Sequence, residues 1–316
     1  MQIKRVDIQS NDFKSLTLND SVFLSFEWIM LFDNHQFYTI NDNDDTIIGG
    51  FVVQTKRVLG QKIIQNLPYT PNISLFFNNK SKNFANNKSN EKHLISLLSG
   101  NFKSNLISKF AFPVGFNDLQ PFIWDNYKVI PNYTYRIDLN QELSSISAKM
   151  SPQRRNELKK AEKDGVVVKR NYDNNLVLEI INKTFDRKKL KVSSRIINKI
   201  LFEFANNENS FSFIAYKDEL PIAATFCIHD QNTVYYLLGG YDNFNKHQSA
   251  GALCVWNSIQ LSKELNKKIF DFEGSMLKPV ERYFRDFGGD LVAYYTVNKA
   301  RFLIEIVLKM FKRAYF

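Results

Sequence analysis

The stretch from Thr233 to Gly289 constrains this chain more than any other. Thr233-Val-Tyr-Tyr-Leu-Leu is β-branched and aromatic and breaks at Gly239-Gly240, the pattern of a strand that meets a glycine pair. From Gly251 to Leu265 the residues Leu253, Trp256, Ile259, Gln260 and Lys263 recur at helical spacing, and Ile269-Phe-Asp-Phe is a short second strand. An aromatic-rich helix and Gly288-Gly289 close the run. A strand, a loop ending at a helix N-terminus and a parallel neighbouring strand make a cradle for a phosphate or for a carbonyl that is gaining negative charge.

The chain has 316 residues, 44% of them hydrophobic, which is enough to bury more than one core. At roughly 100–200 residues per domain, about two domains are expected. Met1-Gln-Ile-Lys-Arg-Val-Asp-Ile-Gln has no apolar run behind its basic pair. No run of about 18 apolar residues occurs either, so neither a signal peptide nor a spanning helix is expected and the chain reads as cytoplasmic. Cys227 lies in a strand pattern and Cys254 on a helix, the places of small buried hydrophobes. His35, His93, His229 and His247 are scattered, so neither a metal site nor a histidine-based triad is expected.

The net charge of +10 is concentrated in one block. Residues 151–200 hold 14 basic and 6 acidic side chains, residues 1–150 hold 15 and 13, and residues 201–316 hold 13 of each. Such a block can steer an anionic partner, whether tRNA, a nucleotide-linked precursor or an acidic membrane surface, or it can be a solvated helix face.

Strand-like runs at 46–55 and 62–65 and a helix at 23–32 mark the first half. The polar tract at 78–90 reads as a loop, with a helix following at 91–98. In the second half Ser151-Pro152 has N-cap and N1 chemistry, and the helix it opens should stop at Gly165. A strand at 166–168, helices at 176–188 and 193–205, and strands at 210–216 and 221–229 then lead into the Thr233 strand. The expected class is α/β with a mixed sheet.

Ser151-Pro-Gln-Arg-Arg-Asn-Glu-Leu-Lys-Lys-Ala resembles the helix that opens the second GNAT-like domain of Fem-type aminoacyltransferases and their bacterial relatives. Thr184-Phe-Asp-Arg-Lys, Tyr236-Leu-Leu-Gly-Gly-Tyr, Leu253-Cys-Val-Trp, Phe270-Asp-Phe-Glu-Gly-Ser and Tyr283-Phe-Arg-Asp-Phe-Gly-Gly resemble the segments that follow in that family. The resemblance implies two tandem GNAT-like acyltransferase lobes. These are a degenerate one at 1–145 and a motif-bearing one at 146–298, followed by a basic amphipathic helix at 299–316, with the acceptor expected between the lobes. It implies an N-acyltransferase acting on an amino group of a cell-envelope precursor, a peptidoglycan peptide or an amino sugar. The donor is open between acetyl-CoA or another acyl-CoA and aminoacyl-tRNA. The long helical hairpin of some founding members is absent, and Arg285 stands near where a lysine is expected. The rival reading is a non-catalytic GNAT-fold protein that binds an anionic glycan, a peptide precursor or nucleic acid.

Acyl transfer to an amine needs a neutral amine, a stabiliser for the tetrahedral oxyanion and a proton for the leaving group. Arg285 suits the oxyanion, and its alternative is a salt bridge to Asp286 or Glu281. Tyr283 is a candidate proton donor to a leaving thiolate, as tyrosines are in many GNAT enzymes. Asp271 and Glu273 alternate with Phe270 and Phe272, so they face away from them as a candidate base or ammonium site, or else as a helix cap and an ion pair. Arg154 and Arg155 in a first helical turn oppose the helix dipole, and with Lys159 they are candidates for an acceptor or tRNA phosphate. Lys246, Ser249 and Gly251 lie in a loop similar to the pyrophosphate signature of CoA enzymes, with Ser249 replacing a glycine. Gly239 and Gly240 mark a bulge beside which a pantetheine arm or peptide could lie, or an ordinary strand end. The apolar, basic tail from Arg301 either lies on the inner membrane face or packs on the protein.

Overall fold

The computed structural model describes residues 1–7, 21–78, 81–188, 194–242, 244, 247–274 and 276–312. They form two compact units, one of residues 1–132 with 293–316 and one of residues 133–292.

In chain order the first unit takes β1 (Gln2–Val6), α1 (Phe26–Met30), β2 (His35–Asn41), β3 (Ile47–Val58), β4 (Gln61–Gln65) and β5 (Phe76–Phe77). Then follow α2 (Phe84–Phe102), β6 (Ile107–Ala111), α3 (Gln120–Trp124) and the start of β7 (Lys128–Asp138). The second unit takes the rest of β7, α4 (Leu143–Lys149), α5 (Pro152–Lys163), β8 (Val167–Asn171), α6 (Asn174–Lys188) and α7 (Ser194–Lys199), the last running into a π-helical turn at Ile200–Phe204. It continues with β9 (Ser210–Lys217), β10 (Leu220–His229), β11 (Thr233–Tyr241), α8 (Ala250–Glu264), β12 (Ile269–Asp271), α9 (Lys278–Arg285) and the start of β13 (Asp290–Ala300). The rest of β13 and α10 (Phe302–Lys312) return to the first unit.

One strand order is used twice: β1-β2-β3-β4-β6-β13 in the first unit and β8-β9-β10-β11-β12-β7 in the second. In both, the first four strands are antiparallel neighbours, the fourth and fifth are parallel, and the sixth is antiparallel to the fifth. A helix, α2 or α8, makes the crossover between the parallel pair, as a parallel connection requires.

The local chemistry explains the elements. The Ser151 hydroxyl accepts from the Arg154 N–H at 3.1 Å, and Pro152 fills the first turn of α5. That helix ends where Gly165 takes φ 79° and the N–H groups of Val166 and Gly165 reach back to the carbonyls of Ala161 and Glu162, a Schellman stop. The 78–90 tract departs from the expectation of a loop. Asn83 caps α2 by accepting from the Asn86 N–H at 3.1 Å, and Leu94, Ile95, Leu98 and Phe102 are buried against the strands. Packing of one apolar stripe outweighs the poor helix propensity of the asparagines.

Each unit has its own core. Phe51, Phe102, Phe110, Phe112 and Phe122 pack edge to face in the first. In the second, Ile259, Leu253, Phe270, Phe272, Phe284 and Phe287 fill the space beneath α5, α8 and α9. Cys227 and Cys254 are buried and free, and burial pushes the Cys227 thiol up to about 12. Among the described residues no helix is long and apolar enough to cross a membrane.

Candidate functional site

The parallel pair β11 and β12 holds together for three residues only, Thr233 with Ile269, Val234 with Phe270 and Tyr235 with Asp271. β11 then runs on to Tyr241 along β10, whereas the chain after Asp271 turns away through Phe272, Glu273 and Gly274. Glu273 and Gly274 both take left-handed backbone, φ 60° and 74°, and a Cβ at Gly274 would lie 2.6 Å from the Tyr133 carbonyl oxygen. Among the described residues the β12 side of β11 therefore has no ladder neighbour beyond Tyr235. The edge is met again at Tyr241, whose N–H donates to the Thr184 hydroxyl at 2.9 Å. The result is an open seam alongside Tyr236 to Gly240, where an extended ligand arm can take the place of a strand.

The corresponding seam of the first unit is closed. β4 and β6 also pair over three residues, Ile63 with Ile107, Ile64 with Ser108 and Gln65 with Lys109. After an excursion the Ile73 N–H then donates to the Ala111 carbonyl, while the Val52 N–H donates to the Ile73 carbonyl. Ile73 thus stands in the lane of β4, bonded to β3 on one side and to β6 on the other, so the two lanes stay joined at a level where β11 and β12 have parted.

The bulge in β11 falls earlier than the glycines. Phe226 pairs with Leu238 and Cys227 with Tyr236, so Leu237 is the extra residue. Gly239 and Gly240 sit within the ladder opposite Thr225 and Ala224. They are glycines for want of room. A Cβ at Gly240 would lie 2.7 Å from the Ile180 carbonyl oxygen of α6, and one at Gly239 would lie 1.8 Å from the Tyr236 hydroxyl.

Two groups flank the seam on opposite faces of the sheet. On the core face, the Tyr236 ring packs on Phe272 and Phe284 at 6.3 and 6.0 Å, and the partly buried Tyr283 lies nearby. The Tyr283 hydroxyl would be 3.7 Å from a Cβ on Gly251, in the first turn of α8. Burial raises the Tyr283 hydroxyl well above the ordinary tyrosine value, so it stays protonated. Ser249, the N-cap of α8, is buried and makes no side-chain capping bond, although the Ala250 N–H is taken by the His247 carbonyl at 3.1 Å. His247 fixes the loop before it, with Nε2 3.0 Å from Asp164 Oδ2 and Nδ1 accepting from the Ser249 N–H. Lys246 lies outside the described residues.

The other face carries the carboxylates. Asp271 accepts from the Thr134 hydroxyl at 2.6 Å, Arg136 Nε at 2.7 Å and the Glu273 N–H at 2.9 Å. Its oxygens are occupied. Glu273 Oε1, by contrast, is buried and has no hydrogen-bond partner among the described residues. Burial first, then the charge of Asp271, raise the Glu273 carboxyl well above the ordinary carboxylate range, with Arg136 acting in the opposite sense. A buried carboxyl with an idle oxygen at strained backbone beside an open seam has the features of a proton-transfer group.

The remaining sequence candidates are placed as follows. Arg285 is exposed on α9, its Nε 3.7 Å from Glu281 Oε1. Arg154 is buried, its guanidinium 4.5 Å from both the Tyr283 and the Phe287 ring centroids and bonded to Glu157 Oε2 and the Tyr283 carbonyl. Arg155 donates to the carbonyls of Ala148 and Met150, closing the turn before α5, and Lys159 is exposed on that helix. Sequence reasoning assigns no role to Thr134, Arg136 or Tyr236. The alternation in Tyr133-Thr-Tyr-Arg puts Thr134 and Arg136 on one face, and that is the signal it offered.

The family profile described as an acetyltransferase (GNAT) domain matches residues 149–285. No curated protein matches the chain in sequence. Among solved structures it is similar to FemX, at 11% identity and TM-score 0.71 over 97% of this chain and 100% of that one. It is also similar to L-PGS from Bacillus licheniformis, at 10% identity and TM-score 0.56 over 97% of each. A tandem GNAT protein from the clavulanic acid biosynthesis pathway matches at 7% identity and TM-score 0.50 over 94% of this chain and 98% of that one. At such identities the likeness is one of fold. Residues 149–285, which lie across the open seam, thus match a GNAT acetyltransferase domain, and over nearly its whole length the chain has a fold like that of FemX.

Proposed function

We propose that the protein is an N-acyltransferase that moves an acetyl, longer acyl or aminoacyl group onto an amino group of a cell-envelope precursor, a peptidoglycan peptide or an amino sugar. The observation that carries this reading is the buried Oε1 of Glu273, without a hydrogen-bond partner among the described residues, beside the open seam of the second unit. The donor's arm takes the vacant strand position along Tyr236 to Gly240, with its phosphates toward the uncapped start of α8 and the loop of Lys246, Ser249 and Gly251. In its ionised form Glu273 takes a proton from the substrate ammonium and so frees the amine that attacks, and burial together with the charge of Asp271, held by Arg136 and Thr134, raises its affinity for that proton. Tyr283, protonated, returns a proton to the leaving thiolate or alkoxide. The exposed Arg285 is the candidate for stabilising the tetrahedral oxyanion. The basic block at 151–200, including Arg155 and Lys159, steers an anionic donor or acceptor. Acyl-CoA is the donor that an uncapped helix start and a strand-sized slot fit most directly, and aminoacyl-tRNA is the second choice, supported by the likeness to FemX. The reaction is set in the cytoplasm, where both donors are available.

The test is release of free thiol from acetyl-CoA with a panel of amino sugars and lysine-containing peptides. Wild type should turn over, and Glu273→Gln should lower kcat by about 10²–10⁴-fold with no loss of Tm. Arg285→Ala should cost little stability, since exposed ion pairs contribute about 0–1 kcal/mol, so any fall in rate reports on chemistry. Absence of acyl-CoA binding together with transfer from aminoacyl-tRNA would replace the first donor by the second. A Glu273→Gln variant as active as wild type would overturn the assignment of the base.

A further inference from the structure

Helix α10 follows Arg301, whose N–H donates to the Leu106 carbonyl at 3.0 Å, and carries Phe302, Leu303, Ile306, Val307, Met310 and Phe311 between 45% and 80% exposed. At roughly 100° per residue these six side chains cover about half the helix circumference without a polar interruption. Ile304, 36% exposed, continues the arc beside Phe311, and the partly buried Leu308 and Glu305 lie across the helix from it, so the larger apolar arc faces solvent. Two phenylalanines, a methionine and three aliphatic side chains in one patch exceed what a monomer ordinarily leaves in water.

The charges choose the occupant. Arg301 precedes the arc and Lys309 borders it, and Lys312 and Arg313 follow in sequence. The one acid on the helix, Glu305, is neutralised by Lys309 at 2.6 Å. Eleven residues span about 16 Å, too short to cross a bilayer yet enough to lie along its surface. A second copy fits less well: a stable interface needs about 800 Å² per partner, and pairing the arcs would bring like charges together. We infer that α10 docks flat on an anionic phospholipid surface, its phenylalanines and Met310 among the acyl chains and the basic residues at its two ends, Arg301 before it and Lys312 and Arg313 in sequence after it, supplying the attraction to the headgroup phosphates. This inference does not depend on the acyl-transfer reading, because it needs no donor and no turnover.

Flotation of the full chain with vesicles tests it. Wild type should float with phosphatidylcholine–phosphatidylglycerol vesicles, should stay behind with phosphatidylcholine alone, and should be released by about 0.5 M salt. Leu303→Glu with Met310→Glu, both at exposed positions, should lower the floated fraction about tenfold while Tm is unchanged. Wild type that fails to float with either vesicle, or a double variant that floats as well as wild type, would sink the inference. So would a dimer in light scattering that the double variant dissolves, which would make a second copy the occupant.

Discussion

His229 shows how a single side chain couples this fold to its surroundings. It lies at the end of β10, buried, with Lys267 and Arg170 contributing like charge. Burial first, then Lys267, bring its pKa down to about 4 from the usual 6.5. The folded state thus prefers the neutral ring, and its stabilising contribution is complete above about pH 6.5 and is lost as the pH falls toward 4. Denaturant melts should show stability falling by on the order of 3 kcal/mol across that window, and His229→Asn should flatten the slope. Arg154 carries a different lesson. Its position in a first helical turn is legible from Ser151-Pro152, but its role depends on rings more than a hundred residues away, and no local pattern announces that Tyr283 and Phe287 will enclose it. Glu273 was legible as one of two carboxylates at a strand end, and its difference from Asp271 was not. That difference comes from Thr134 and Arg136 on β7, which occupy one acid and leave the other idle.

Periodicity made β11, α8 and β12 readable because each buries one face in a single core, so hydrophobic spacing and element length agree. α5 was equally plain, since its cap and its glycine stop are both local. Register was not. The bulge belongs to Leu237, and the glycine pair marks instead the crossing of α6 over the strand. Gly240→Ala should accordingly cost about 1–3 kcal/mol, because the added methyl meets backbone that cannot swing aside, and the shift in Tm measures it. Helix α2 was hidden for the converse reason: its asparagines argue locally for a loop, and only the packing of Leu94, Leu98 and Phe102 makes the helix pay.

At the scale of the whole chain, the likeness of the two strand orders is the feature that composition and motifs conveyed least. The first half kept the topology and lost the motifs, so resemblance identified one unit and left the other faint. Each sheet also takes its sixth strand from a distant part of the chain, β13 joining β6 and β7 joining β12, a pairing that no windowed reading of sequence can reach. The hydrogen bonds of Ile73 to Val52 and Ala111 bear on stoichiometry. A titration of the full chain with acetyl-CoA should saturate at one equivalent. Two copies of an architecture would then divide the labour, one having surrendered its vacancy to become scaffold while its twin retained the capacity to receive a guest.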